Sequence, residues 1–268
     1  MLKVRGTGVA GRYRSCGISM EKLEVRRSAR SEYQEKRLSF LNTVLPVSRS
    51  IGLEIGACDK PTVPKDGGLC RYADFRSANQ MVSMWGLDPE SVCHVDYVIR
   101  RSLTLPEQIT DRFDYVIACH VLEHVPDPIG YLFELSGLLN PNGTVFLAIP
   151  DKRITADINR PSTTIDHLIM DFHDRCRYPS VEHIMDFHRH WIALETGTPL
   201  HIKDVYNYAQ EFYESGEADV HCHVWDDRLF REQFQTLSDA KMLGNLELTA
   251  FQNTPPGFNE FVAVFTAR

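Results

Sequence analysis

The chain predicts an α/β fold with a doubly wound sheet of seven strands, mostly parallel with an antiparallel last strand, and a helical lid inserted after the fifth. Two observations carry that expectation. Between residues 50 and 150, short apolar runs alternate with helical stretches and turn residues, as parallel strands joined by crossover helices do. Beyond residue 155 the pattern gives way to a long polar, histidine-rich stretch, and strand-like runs return only towards the end of the chain.

Five strands are read in order, at residues 50–55, 68–73, 91–97, 113–119 and 144–149. The amphipathic run PIGYLFELSGLL precedes the fifth and is closed by Asn140-Pro141-Asn142-Gly143, where proline cannot continue a helix and Asn-Gly accepts positive φ. Runs at 246–251 and 261–265 make a terminal antiparallel pair, and their linker QNTPPGFNE holds two prolines and a glycine that suit a loop. Between the two halves, residues 155–223 form the insertion. Within it HLIMDFH is echoed by HIMDFH sixteen residues later, read as two similar helical turns. HVWDDRLFREQF reads as a strand end, a cap and an amphipathic helix.

Residues 1–19 are basic and rich in Gly, Arg and Ser, without the apolar core of a secretory signal, and are expected to be a disordered leader. A helical segment follows over 20–49, and the sheet-bearing domain is expected over 50–268. Met20 opens a better-patterned helix than anything before it, so Met1 and Met20 both stand as starts. An organellar transit peptide is a secondary reading of the leader.

At 268 residues one large domain is the default. A net charge of -7 argues against nucleic acid as partner, since polyanion binding draws on clustered Lys and Arg. No run approaches the roughly 18–20 apolar residues of a membrane span. Seven dispersed cysteines with no CxxC pair suggest neither a disulfide framework nor a thiolate zinc site, and point to a reducing cytoplasm. The expected partner is a small-molecule acceptor, with homodimerisation left open.

The first strand ends GLEIGACDKP, with an acidic residue two positions before a glycine. A dinucleotide turn needs GxGxxG so that backbone can approach a pyrophosphate. Cys58 and Asp59 stand where those glycines would be, so a single close approach remains, at Gly56. Glu54, Asp74, Asp96 and His120 follow one another at intervals of 20, 22 and 24, and the last opens the segment ACHVLEHVPDP.

These residues resemble the class I S-adenosylmethionine-dependent methyltransferase family, whose Rossmann-like sheet carries an acidic residue before GxG and others ending the second and third strands. The resemblance covers residues 50–155 and departs from the family at Cys58, where a second glycine is usual. It implies S-adenosylmethionine as cofactor and S-adenosylhomocysteine as product. It further implies that Asp74 takes the ribose hydroxyls, that Asp96 accepts the adenine amino group beside the ring of Tyr97, and that Glu54, Gly56, Ala57 and His120 hold the methionine portion. Glu123 and His124 lack HExxH spacing and read first as the start of a helix. Two other readings stay open: an NAD-dependent oxidoreductase or epimerase, and a non-catalytic binding protein on the same fold.

The fifth strand ends LAIPDKRITAD, which places Asp151 and Arg153 at the sheet edge where an acceptor should arrive. IPDKR resembles a bacterial subset associated with glycan and natural-product sugars, which suggests a saccharide-like acceptor methylated on a hydroxyl or amine. Eight of the eleven histidines (His167, His173, His183, His188, His190, His201, His221, His223) fall in the insertion. A histidine near neutral pKa suits deprotonation of a hydroxyl. His167, His173 and Asp151 are the candidate bases, with Arg153, Asp166 and Asp171 as acceptor contacts. Asp and His on one helical face could supply oxygen and nitrogen ligands to a divalent metal, which stays open, but the spacing matches no metal motif and no metal ligand is assigned.

Overall fold

Strand β4 (Phe113–Cys119) is the axis of the molecule, and six of its seven residues lie at or near full burial or face the site at its end. Its side chains alternate: Val116 and Ala118 enter one hydrophobic cluster, Tyr115 and Ile117 another on the opposite face. In this computed structural model, which describes residues 20–64, 69–216 and 218–268, β4 is flanked by β1 (Ile51–Ile55) and β5 (Leu139–Pro150). With β2 (Leu69–Asp74), β3 (Tyr97–Val98), β6 (Leu246–Gln252) and β7 (Glu260–Ala267), they form one seven-stranded sheet of order β3-β2-β1-β4-β5-β7-β6. β7 alone runs opposite to the other six strands, pairing antiparallel with both β5 and β6. Residues 1–19 and Gly68, the expected start of the second strand, lie outside the described residues.

Helices cover both faces. Helix α2 (Ala78–Trp85) joins β2 to β3; on one face lie α3 (Leu105–Gln108), α4 (Pro128–Ser136) and α8 (Asp227–Asp239), with α4 and α8 delivering Ile129, Leu132, Phe230 and Phe234 to the larger cluster. On the other, α1 (Met20–Val44) lays Leu41 against Tyr115 and Phe146. Asp226 caps α8 through Leu229 N–H, and Asp127 caps α4 through Gly130 N–H. Among the described residues, no helix is long and apolar enough to cross a membrane.

Two expectations are corrected. The third strand was expected over 91–97, yet only Tyr97 and Val98 pair with β2. Val92 and Cys93 are buried, but against the turn after β1, where Cys93 N–H donates to the Cys58 carbonyl at 2.8 Å. Apolar content there reflects turn packing rather than a sheet ladder. The fifth strand starts at Leu139 rather than 144, because Asn140 to Gly143 are taken in as a bulge. Leu139 pairs with Phe113, the register shifts before Tyr115, and Asn142 adopts φ 61.

The insertion contains α5 (Ile165–Asp174), α6 (Val181–Thr196) and α7 (Ile202–Glu214). The two echoed strings are α5 and the first half of α6. Helix α5 joins the main core through Leu168 and stacks Phe172 on Phe133 of α4 at 5.9 Å, whereas α6 and α7 share a separate small core around Ile184 and Ala209.

Gly52 of β1 lies flat under the ring of Tyr115, where an added Cβ would come within 1.9 Å of Cζ. Because that ring is fully buried and has nowhere to move, Gly52→Ala is expected to cost at least about 3 kcal/mol in urea unfolding.

Candidate functional site

The carboxyl edge of the sheet is shaped by three residues in the left-handed region: Gly56 at φ 75, Cys58 at φ 50 and His120 at φ 54. Gly56 follows β1, and its N–H donates to the Ala73 carbonyl at 2.9 Å. A Cβ there would meet Val121 Cγ2 at 2.8 Å, so backbone passes closer to the loop after β4 than a side chain permits. Cys58 holds a glycine-like conformation without being glycine, which costs roughly 1–2 kcal/mol. Gly56, Ala57, Cys58 and His120 line a cavity of about 580 Å³, closed from above by Tyr33 and Arg37 of α1.

Glu54 also reaches this cavity, but its carboxylate is committed. It accepts Thr62 N–H at 2.7 and 2.9 Å and Val63 N–H at 3.2 Å, and so pins the loop after the turn. Burial pushes it up to about 7 against those hydrogen bonds. Its expected contact with a methionine amino group is therefore secondary to a structural one.

A charged chain crosses the cavity floor. Arg37 of α1 forms a two-pronged pair with Glu260 of β7, with Nε to Oε1 at 2.8 Å, and Glu260 Oε2 meets His120 Nε2 at 2.7 Å. Burial alone would raise the Glu260 carboxyl, but the hydrogen bonds from Arg37 and His120 hold it down at about 2. Neither Arg37 nor Glu260 stood out in sequence.

A second cavity of about 490 Å³ adjoins the first across the Gly56–Val121 contact. Phe75, Arg101, Val121, His124, Tyr131 and Phe172 are among its walls. Asp74 ends β2 beside it, with Oδ1 accepting Arg76 N–H at 3.1 Å and burial raising its carboxyl. Asp96 and Tyr97 are not brought there. Asp96 stands before β3 rather than after it, and its Oδ2 accepts Tyr72 N–H at 2.8 Å. The Tyr97 hydroxyl meets Arg71 at 2.5 Å and Asp111 on the sheet rim. The residues that do follow β3 into the cavity are Arg100 and Arg101.

Asp151 and Arg153 serve the fold. Asp151 is fully buried, accepts the Thr254 hydroxyl at 2.6 Å and pairs with Arg153, whose Nη2 reaches Asp227 of α8 at 2.8 Å. His173 and Asp166 are exposed on α5, away from both cavities. The expected bases are thus dispersed, while the short helical turn after β4, given no primary role above, carries a denser cluster.

That cluster centres on Glu123, 1% exposed, with neither carboxylate oxygen hydrogen-bonded among the described residues. His120 Nδ1 lies 3.7 Å from it, and one donor atom each from Glu123, His124 and His221 falls within 4.8 Å of the others, a set able to hold a divalent cation. The two imidazoles meet edge-on at 4.6 Å. Each has its own carboxylate: His124 Nδ1 is 3.0 Å from Asp219, and His221 Nδ1 is 2.6 Å from Asp157. Burial works against a charged His124, but Asp219 and Glu123 outweigh it and raise its pKa. Backbone ties the insertion to this point, since Cys222 N–H donates to the Glu123 carbonyl at 2.6 Å. HxxEH at 120–124 was the available signal, hidden because its fourth member, His221, is distant in sequence. Nearby, His167, Asp171, His183 and His223 form a second group of the same kind.

Strand order and the tight turn at the carboxyl edge define a doubly wound fold whose topological switch point, the crevice where such sheets bind ligands, lies between β1 and β4. The chain matches the family described as Methyltransferase domain over residues 30–236 and belongs to it. A ubiquinone biosynthesis O-methyltransferase of Xanthomonas oryzae pv. oryzae (strain PXO99A) is 39% identical over 125 residues, 42% of this chain and 52% of that protein. Its counterpart in Xanthomonas campestris pv. campestris (strain B100) is 39% identical over 59 residues, 22% of this chain and 25% of that protein. The chain spans between a quarter and about half the length of these curated relatives. Among solved structures, magnesium protoporphyrin IX methyltransferase from Synechocystis PCC 6803 with bound SAH aligns with a TM-score of 0.46 at 9% identity, covering 96% of this chain and 91% of that one.

Gly56→Ala is expected to weaken S-adenosylhomocysteine binding by roughly tenfold or more in calorimetry, because both the positive φ and the Val121 contact resist a methyl group. Glu260 gives a pH signature. Its folded value of about 2 lies below the ordinary 4.5, so its stabilisation is complete above about 4.5 and is lost as pH falls towards 2. Urea unfolding of Glu260→Gln should lack that acid limb, worth roughly 3 kcal/mol.

Proposed function

We propose that this enzyme transfers a methyl group from S-adenosylmethionine to a hydroxyl of a small polar acceptor. The observation that carries this reading is the Glu123, His124 and His221 cluster beside the cavity edge, with an aspartate behind each imidazole. Displacement at a sulfonium carbon needs alignment above all, but a hydroxyl must also give up its proton, and an amine less so. His221, held by its hydrogen bond to Asp157, is suited to take that proton, and Asp157 and Asp219 stabilise an imidazolium on His221 or His124.

Cofactor contacts follow the geometry. The methionine end would lie in the cavity of Gly56, Ala57 and His120, Asp74 would take the ribose hydroxyls, and the adenine would enter the neighbouring cavity beside Phe75 and Arg101. The acceptor would arrive beside His120, where the first cavity comes within 3.7 Å of Glu123 and where Tyr33, Gln34 and Asn259 offer the polar surface a saccharide requires. An aromatic hydroxyl is the second reading, favoured by the likeness to the ubiquinone biosynthesis O-methyltransferases.

The test is S-adenosylhomocysteine release with a panel of sugars, phenols and amines. Turnover of sugar hydroxyls supports the reading; phenol turnover transfers it to the second; methylation of amines alone overturns both. With the acceptor so found, His221→Asn is expected to lower kcat by roughly 100-fold or more while calorimetric S-adenosylhomocysteine affinity stays within about threefold.

A further inference from the structure

Inside the insertion, three imidazoles and one carboxylate converge on a single point. His167 and Asp171 stand one turn apart on α5, His183 lies in the first turn of α6, and His223 comes from the extended segment before α8. Asp171 Oδ2 is 3.1 Å from His167 Nε2, 3.3 Å from His183 Nε2 and 3.5 Å from His223 Nε2. The Nε2 atoms of His167 and His183 are 3.0 Å apart. One donor atom from each of the four lies within 4.8 Å of the rest.

These separations have a specific meaning. A tetrahedral zinc ion bound at about 2.0–2.1 Å sets its ligand atoms about 3.3 Å apart, the edge length of that tetrahedron. The measured distances scatter around it. Asp171 is 8% exposed, and although three nitrogens lie at hydrogen-bond distance from Oδ2, none is in hydrogen-bond alignment with it.

We propose that His167, Asp171, His183 and His223 bind one zinc-type transition-metal ion, which staples α5, α6 and the segment before α8 together. Three imidazole nitrogens select zinc or a similar ion over magnesium or calcium, which prefer oxygen. His183 and His223 are fully enclosed, and the partly exposed His167 leaves a path of entry. Outer contacts suit the role as well: Ser180 Oγ lies 3.2 Å from His183 Nδ1, placed to accept its proton when Nε2 is bound to metal. The mechanical need is evident, since α6 and α7 share only a small core of their own. Helix α5 also supplies Phe172, Arg175 and Cys176 to the wall of the second cavity, so the ion would fix that wall.

A metal-free network is the competing arrangement. In it Ser180 N–H donates to His183 Nδ1 at 3.1 Å, which leaves the proton on Nε2, and His223 Nε2 is shared with the Pro126 carbonyl at 3.1 Å.

The experiment uses the full chain purified without a histidine tag, stripped by chelator and reloaded with zinc or with cobalt(II). Elemental analysis should find about one zinc per chain in the wild type and in Glu123→Gln, and loss of it in Asp171→Asn and His183→Gln. Chelation should lower the wild-type Tm by roughly 5 °C or more and leave Asp171→Asn unmoved. Should those variants fail to fold, the wild-type cobalt(II) spectrum decides: intense visible absorption is the tetrahedral signature expected. Weak octahedral absorption, or no cobalt bound, overturns the proposal, as does zinc retained in Asp171→Asn and His183→Gln but lost in Glu123→Gln. S-adenosylhomocysteine affinity, measured separately on the stripped protein, reports on the cofactor site alone.

Discussion

The Glu260 carboxylate holds the site together. It lies at the start of β7, 4% exposed, and joins Arg37 from the far end of the chain to His120 from the loop after β4. A carboxylate so buried is tolerated only because both oxygens meet cationic or N–H partners; removing one partner of such a pair leaves the other charge stranded at a cost of about 3–5 kcal/mol. Through it α1 becomes a roof over the first cavity rather than an appended helix. The same contact fixes the ring of His120 within 3.7 Å of Glu123.

Charge is arranged in successive layers around the reacting edge. Glu54 ties down the loop after β1, Glu260 anchors the roof, and Glu123 has no hydrogen-bond partner among the described residues. An unpartnered buried carboxylate is expensive, which is why Glu123, with two aspartate-backed imidazoles beside it, is the chemical centre of the proposed reaction. The insertion provides one of those imidazoles, His221, and its aspartate Asp157, which Arg160 also holds at 2.8 Å. Lid and catalytic edge are therefore one construction.

Much of the frame was legible in order along the chain. The run 113–119 was read as a strand with the ends it has, because a central parallel strand is apolar on both faces and bounded by polar turns. Gly56 was legible because a single glycine after an acidic strand end marks a close backbone approach. The third strand was not, since apolar residues that pack a turn look the same as those that pair in a ladder. Asp96 was misplaced for the same reason: the interval that found Asp74 stopped short of β3, which ends at Val98. Asp151 and Arg153 sat at the expected edge but turned inward to α8, a choice that depends on Thr254 and Asp227, both roughly 75 or more residues away in sequence.

By itself the sequence determined the strand and helix periods, the turn at Gly56, the acidic end of β2 and the concentration of histidines in one insertion, all of which are local properties of spacing and side-chain type. Tertiary structure alone decided which histidines meet. His221 joins Glu123 and His124, while His167, Asp171, His183 and His223 gather elsewhere, and His173, nearly two turns from His167 in the same helix, faces solvent. Those groupings arise from how α5, α6 and the segment before α8 pack together, and no periodicity within a single element encodes them.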